Sequence, residues 1–337
     1  MKAINKEDLA VFVDNLIKGY DEVVGPVPKE FKYVFSKIGS SAELALDYDS
    51  TLLPPKKHLL PQREVLFSFD KADGIEIEPN LDATKRVIFG IHSCDLASIW
   101  LMDQIMAEGN ADAHYLTRRK NTFIIGIDCG KPCSENSFCK SMGTLKPEGG
   151  YDLFLTDLGD LYAVEVGTNA GEELLDNGSF YPASYTIKDR FFETWRGKLH
   201  NFPDRIKFDT EKLPALLTES YNDLLWDVLE ERCFDCGACT TVCPTCYCFD
   251  VFDVANLDLT SGERARKWDS CQVQNFAEMA GGNNMRGKRS DRLRHRLFRK
   301  GKYFKEKYGK FACVGCGRCG RSCLAKIDVM EIFNRLK

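Results

Sequence analysis

Three kinds of segment are absent from this sequence of 337 residues. It has no run of the roughly 18 apolar residues that a membrane-spanning helix needs. Its first twenty residues lack the apolar core and the cleavage site of a signal peptide. No G-x-G-x-x-G motif, which binds dinucleotides, follows a predicted strand. We therefore expect a protein of the reducing cytoplasm, with no membrane contact and no dinucleotide site of its own.

An excess of charge of one sign is also absent. The chain has 46 Lys and Arg residues against 50 Asp and Glu residues, a net charge of −4 at pH 7, and this balance argues against nucleic acid as the main partner. Cysteine is the residue in excess, with fifteen copies. In a secreted chain they would indicate disulfides. In a reducing compartment they indicate metal ligands instead.

Eight of these cysteines form two runs of identical spacing, C-x2-C-x2-C-x3-C, and the first run is followed by proline. This is the spacing of ferredoxins with two [4Fe-4S] clusters, in which the fourth cysteine of each run binds the other cluster. Zinc is disfavoured because its structural sites use two separated pairs of ligands. The predicted ligands are Cys233, Cys236, Cys239 and Cys323 for cluster 1, and Cys243, Cys313, Cys316 and Cys319 for cluster 2.

Four more cysteines lie in the first half of the chain. Cys94 and Cys129 follow two short runs of apolar, β-branched residues that predict buried strands, and loops at strand ends are where sites gather. The four thiols could close a third [4Fe-4S] cluster, with Asp95 or His92 as a substitute ligand. Alternatively they are ordinary buried thiols. The candidate ligands of this third cluster are Cys94, Cys129, Cys133 and Cys139.

The last three cysteines are Cys246, Cys248 and Cys271, and the sequence leaves their role open. The first two follow the Cys243-Pro244 corner directly, so they are expected near the clusters. They could hold a further cluster with a ligand other than cysteine, act as a dithiol switch, or donate weak hydrogen bonds to cluster sulfides. A packing or supporting role is the interpretation we favour from sequence.

The fold class predicted from these patterns is α+β. An N-terminal mixed α/β domain is expected over residues 1–210 and an α-helical two-cluster ferredoxin domain over 211–337, with a basic insertion at about 250–310 between the cysteine runs. The predicted strands are Arg86–Ile91, Thr122–Ile127, Asp152–Asp157 and Leu161–Val166, and the predicted helices are Leu96–Met106, Phe191–Leu199 and Leu213–Glu231.

The insertion has a strongly basic end, from Arg286 to Lys310. Its cations could stabilise the negative charge of neighbouring clusters, or steer an acidic partner into contact. A solvated basic face without a partner is the alternative. The cations are Arg289, Arg292, Arg294, Arg296, Arg299 and Lys300.

An ordered set of short segments along most of the chain carries a resemblance to a known family. The segments are Pro54-Pro55-Lys56-Lys57, Glu64–Asp70, His92-Ser93-Cys94-Asp95, Tyr151–Phe154, Cys233–Cys248, Arg266–Cys271, Ala280-Gly281-Gly282 and Cys313–Cys319. In these the chain resembles the iron–sulfur (beta) subunit of cytoplasmic hydrogenases of the sulfhydrogenase type, and equally the electron-transfer subunit of anaerobic sulfite reductases. Two positions depart from the family: Ser137-Phe138-Cys139 stands where Cys-Phe-Cys is usual, and Leu324 replaces the proline after the last cysteine.

The resemblance implies an electron-transfer subunit with no catalytic residue of its own. Such a subunit works in a hetero-oligomer, between a flavin (FAD) subunit that binds NAD(P)H and a catalytic metalloenzyme subunit. The catalytic partner would hold nickel–iron in a hydrogenase, which is our prediction, or sirohaem in a sulfite reductase, which is the alternative. A stand-alone iron–sulfur reductase is a further alternative. It would turn over substrate by itself, which a relay subunit would not.

Overall fold

The protein is described from a computed structural model, over residues 1–71, 76–257 and 259–336. Its strands form two sheets. The strands are β1 (Lys2–Asn5), β2 (Glu22–Lys29), β3 (Lys32–Lys37), β4 (Arg63–Asp70), β5 (Glu76–Pro79), β6 (Arg86–Ile91), β7 (Thr122–Ile127), β8 (Leu153–Asp157), β9 (Leu161–Val166), β10 (Tyr181–Pro182), β11 (Phe249–Ala255) and β12 (Ser261–Trp268).

Twelve α-helices accompany the described strands, and none is long and apolar enough to cross a membrane. They are α1 (Lys6–Gly19), α2 (Ser93–Ala107), α3 (Ala113–Lys120), α4 (Asn169–Leu174), α5 (Tyr185–Asn201), α6 (Leu213–Glu219), α7 (Leu225–Arg232), α8 (Ala238–Thr241), α9 (Arg289–Phe298), α10 (Phe304–Tyr308), α11 (Arg318–Arg321) and α12 (Val329–Arg335). A π-helical turn, Arg299–Tyr303, joins α9 to α10, and single 3-10 turns cover Ser41–Glu43, Pro55–His58, Leu175–Asn177, Thr210–Lys212, Ser220–Asn222 and Gln274–Ala277.

The larger sheet has eight strands in the order β10-β1-β9-β8-β7-β6-β2-β3. Its centre is parallel, because β2, β6, β7 and β8 run in one direction, and antiparallel strands complete both edges. All six residues of β6 are buried, as expected for a strand covered on both faces. The carboxyl ends of β6 and β7 lead directly into the segments that carry Cys94 and Cys129.

The predicted fold class is confirmed: a mixed sheet precedes a largely helical C-terminal region. Strands β6, β7 and β9 have the bounds that the sequence predicted. The predicted helix Leu213–Glu231 is interrupted, however. The carbonyl of Ser220 accepts a hydrogen bond from Trp226 Nε1 at 2.7 Å, and the Asp223 carboxylate accepts one from the Leu225 N–H at 2.7 Å. These side-chain bonds replace the helical pattern and start α7 anew.

The smaller sheet was not anticipated from the sequence. Its order is β11-β12-β4-β5, so the hairpin β11–β12, which lies between the two cysteine runs, pairs with strands of the N-terminal half. The buried Arg266 on β12 donates to Glu64 Oε1 on β4 at 2.5 Å, and it also forms an ion pair with Asp112. The insertion therefore connects the two halves instead of projecting from the C-terminal one.

A second core lies under the C-terminal helices. It is centred on Trp226, Leu297 and Phe333, which are 1% exposed or less. Phe138 and Met142, from the N-terminal half, are part of the same core. The segment that carries Cys133 and Cys139 is thus held against the helical region by apolar packing.

Candidate metal centre

The predicted ligands of cluster 2 line one cavity. Cys313, Cys316 and Cys319 come from the loop that enters α11, and Cys243 comes from the turn after α8. Gly315 and Gly317 have φ angles of 66° and 74°, a left-handed conformation that favours glycine, and they let the loop curl around the cavity. The structure therefore brings together the fourth cysteine of the first run and three cysteines of the second.

The predicted ligands of cluster 1 are also neighbours. Cys233 directly follows α7, and the thiols of Cys323 and Cys236 lie near it. Cys239 lies near Cys233 as well. The N–H of Ile327 donates to Cys323 Sγ at 3.3 Å, the kind of bond that stabilises a thiolate. Cys236 is exposed, so this group of thiols lies at the protein surface.

The four N-terminal cysteines form a third group. The thiols of Cys129 and Cys133 lie side by side, Cys94 lies near both of them, and Cys139 lies near Cys133. Cys94 is buried, and the other three are half-buried. Of the two substitute ligands, Asp95 has both carboxylate oxygens on Arg318 at 2.7 Å, and the ring of His92 stacks on Tyr48 and lies beside Cys133.

The third group contacts the second cysteine run through the backbone. The N–H of Phe138 donates to the carbonyl of Gly315 at 2.7 Å, and the Thr144 hydroxyl donates to the carbonyl of Val314 at 2.7 Å. A Cβ atom on Gly315 would lie only 2.6 Å from the Cys139 nitrogen. Cys94 in turn lies near Cys316. The third group and the cluster 2 ligands are therefore direct neighbours.

Buried cations surround these thiols. Arg296 lies among Cys239, Cys243, Cys246 and Cys319, and the Lys300 ammonium lies beside Cys243 and Cys246. Lys198, paired with Asp128, lies near Cys129 and Cys139. No sequence signal pointed to Lys198 or to Lys56, which lies beside Cys246. Arg318 lies between the predicted ligands Cys316 and Cys319 in the sequence, but this position alone did not predict a buried cation.

The solvated-face interpretation of the basic stretch is wrong for three of its residues. Arg292, Arg296 and Lys300 are 1%, 5% and 5% exposed. Arg292 donates to Asp235 Oδ2 at 2.7 Å and to the Gly287 carbonyl at 2.7 Å, while Arg296 and Lys300 turn towards the thiols. They face inward because α9 packs on α7 and on the cysteine loops, and long cationic side chains are buried only where anions or acceptors meet them.

The donor sets fit iron–sulfur clusters. Burial raises the pKa of Cys239 and of Cys316 to about 12, and a metal ion must displace these protons because only thiolates are ligands. No three described His, Cys, Asp or Glu side chains surround a single-ion position. A cubane needs wider spacing than that, because each thiolate binds a different iron.

The three remaining cysteines meet at the base of the hairpin. Cys248 directly precedes β11, Cys271 follows β12, and the N–H of Asp269 donates to the Cys248 carbonyl at 2.9 Å. The thiol of Cys248 lies beside that of Cys271, and the thiol of Cys246 lies beside that of Cys243.

Comparisons with known proteins agree with this geometry. Residues 232–327 match the family described as 4Fe-4S dicluster domain. The chain is 35% identical over 332 residues to the sulfhydrogenase 2 subunit beta of Pyrococcus furiosus, covering 96% of this chain and 94% of that relative. No solved structure matched. At this identity and coverage, the chain belongs to the family of sulfhydrogenase beta subunits.

Proposed function

We propose that this chain is the electron-transfer subunit of a hydrogenase, carrying electrons between a flavin subunit and a catalytic subunit. The observation that carries the proposal is the continuity of the thiol groups. The third group lies beside the cluster 2 ligands through Cys94 and Cys316, and the cluster 2 ligands lie beside cluster 1 through Cys319 and Cys239. Cluster 1 reaches the surface at Cys236.

The proposed ligand sets are those that the cysteine spacing predicted. Cys233, Cys236, Cys239 and Cys323 hold cluster 1, and Cys243, Cys313, Cys316 and Cys319 hold cluster 2. Cys94, Cys129, Cys133 and Cys139 hold a third cluster. When bound, such clusters supply one-electron storage at a potential that their surroundings set.

The other residues of the chain set those surroundings. Arg296, Lys300 and Lys198 place positive charge beside the thiolates and so favour the more negative, reduced state. Arg318 holds the N-terminal end of α2 against the second cysteine run through Asp95. Every thiol except that of Cys236 is at least partly buried, and the exposed Cys236 leaves one end of the proposed path open to a partner.

Copurification from the native source tests the proposal. We expect a flavoprotein and a nickel–iron subunit with this chain, and the isolated chain should exchange electrons with viologen dyes without consuming hydrogen. A sirohaem protein in the complex would instead show the sulfite reductase alternative. Substrate turnover by the isolated chain would contradict the relay function.

The third cluster has a separate test. Replacing Cys94 and Cys139 by Ser should remove about four irons per chain from anaerobically prepared protein, because a cubane needs its thiolates. Ser134→Ala is the matched control, since it alters the same loop and removes no thiol. Unchanged iron content and unchanged EPR spectra in the double variant would show that these four are structural thiols.

A further inference from the structure

The cavity at the base of the β11–β12 hairpin contains the three cysteines that the proposed clusters do not use. It has a volume of about 380 Å³, and Cys246, Cys248 and Cys271 all line it. The register of the hairpin brings Cys248 and Cys271 close to each other. Phe249 on β11 is paired with Trp268 on β12, and the two cysteines lie just outside this pair. Cys246 joins them from the turn that follows Cys243.

The walls of this cavity are strongly cationic. Arg286, Arg296, Arg299 and Lys300 line it, and none of its described lining residues is Asp or Glu. Lys56 is an additional buried cation beside Cys246, whose carbonyl accepts its hydrogen bond. Several like charges in one partly buried cavity repel one another unless an anion is present among them.

Two of these cations have donors without acceptors. Arg296 is 5% exposed, and its buried Nε has no hydrogen-bond partner among the described residues. The buried Nε of Arg286 also lacks one within the same part of the chain. Buried donors are nearly always satisfied in native proteins, so these two indicate an occupant that accepts hydrogen bonds and carries negative charge.

We propose that Cys246, Cys248 and Cys271 hold a further [4Fe-4S] cluster through three thiolates. The sulfides and thiolates of such a cluster accept hydrogen bonds and bring the negative charge that the walls require. The fourth iron is left to a ligand other than cysteine, and His295, which lines the same cavity, is the nitrogen donor at hand. All fifteen cysteines of the chain are then ligands of four clusters.

The competing occupant is zinc, because three cysteines and one histidine also form a zinc site. Two observations favour the cluster. The thiols line a cavity much larger than one ion needs, and the described side chains do not surround a single-ion position. The unpaired arginine donors also indicate an occupant that accepts hydrogen bonds. The sulfides of a cluster can do so, whereas a zinc ion brings no acceptor atom to the cavity.

The position of this site adds a branch to the electron path. Cys246 lies beside Cys243, a proposed ligand of cluster 2, and Cys271 lies near Cys239 of cluster 1. Arg296 lies among thiols of cluster 1, of cluster 2 and of the hairpin cavity. The new cluster would therefore exchange electrons with either of the two predicted from the cysteine runs.

The test compares metal content in full-length chains prepared anaerobically with iron and sulfide. Cys248→Ser/Cys271→Ser should lose about four irons and about four acid-labile sulfides per chain, with the EPR signals of the other clusters kept. Tyr247→Phe is the matched control, since it changes the same segment and leaves every thiol in place. Loss of one zinc, or no loss of metal, would overturn the proposal.

A measurement on the unaltered protein covers the case in which the double variant fails to fold. A cluster held by three cysteines releases its fourth iron on mild oxidation more readily than clusters held by four. Mild oxidation of the wild-type chain should therefore convert one cluster to a three-iron form, visible by EPR. The absence of any three-iron signal, with every cluster lost at one rate, would count against a three-thiolate site.

Discussion

The positive charge of Arg296 lies close to several of the predicted cluster ligands. It is buried and lies among thiols of the two ferredoxin groups and of the hairpin cavity. A buried guanidinium without a carboxylate partner is costly, and the thiolates of bound clusters offset that cost. Its placement agrees with the first of the roles that the sequence left open for the basic stretch, which is to stabilise the negative charge of neighbouring clusters.

Arg296→Gln should therefore lower cluster reduction potentials. Removing one positive charge destabilises the reduced, more negative state, and we expect a shift of roughly 60 mV, equivalent to about 1.4 kcal/mol for one electron. EPR-monitored redox titration of the anaerobic protein measures it. Arg296→Lys keeps the charge and should keep potentials close to wild type. Equal shifts in both variants would assign the effect to packing.

Arg318 and Asp95 form the most buried ion pair between the two halves, with side chains 3% and 0% exposed. Asp95→Asn leaves the guanidinium unpaired, and breaking such a pair costs about 3 kcal/mol. Anaerobic urea unfolding followed by circular dichroism should show this loss. Asp160→Asn breaks the exposed pair with Arg190 and should have a much smaller effect. Similar losses in both variants would mean that burial does not matter here.

At the residue level, the sequence predicted much of the site. Ligand spacing predicted the eight ferredoxin cysteines as cluster ligands, and in the structure the members of each predicted set are neighbours. The sequence could not show which cations face inward, because Arg292 and Arg294 are alike in sequence and differ only in the face of α9 on which they lie. Lys198 lies fifty or more residues from the cysteines it approaches, so only the tertiary fold reveals it.

Among the elements, the loop of the second cysteine run packs closely against the segment that carries Cys139. Gly315 lies against the backbone of Phe138 and Cys139, and both Gly315 and Gly309 have positive φ angles. Gly309 follows α10 and has open space around its Cα. The two glycines therefore separate the cost of backbone conformation from the cost of steric contact.

Gly309→Ala should cost about 1 kcal/mol of stability, the usual penalty for a side chain in this conformation. Gly315→Ala should cost more and should also lower iron content, because the added methyl pushes the Cys139 segment away from the loop. Iron analysis beside thermal unfolding separates the two effects. Equal iron content in both variants would show that the contact does not hold the third group in place.

The hairpin β11–β12 shows where prediction from sequence patterns failed. Its first strand is rich in aromatic and β-branched residues, Phe249-Asp250-Val251-Phe252-Asp253-Val254, which is a strand signal, but the surrounding cysteine runs drew the interpretation towards helices. Its pairing with β4 is non-local, between residues about two hundred positions apart. No local pattern predicts such a partner.

For the whole molecule, the two halves are joined closely, and the proposed electron path runs through both of them. The second sheet, the Arg318–Asp95 pair and the shared core all cross between them. The path ends at Cys236, where the surrounding apolar side chains are also exposed: Phe234 is 66% exposed and Leu324 is 76% exposed. Exposed apolar groups beside a redox centre are typical of a contact with another protein chain.

Phe234→Ser/Leu324→Ser should weaken the contact between this chain and a redox partner in its complex. Exposed side chains contribute little to folding, so iron content and EPR spectra should match wild type. Phe31→Ser removes a residue that is 96% exposed but lies in the N-terminal sheet region, and it serves as the control. Copurification of the partner and the rate of electron transfer through the complex are the measurements. If both variants retain the partner and the rate, electrons leave the chain elsewhere, and the opening of the hairpin cavity becomes the exit to test.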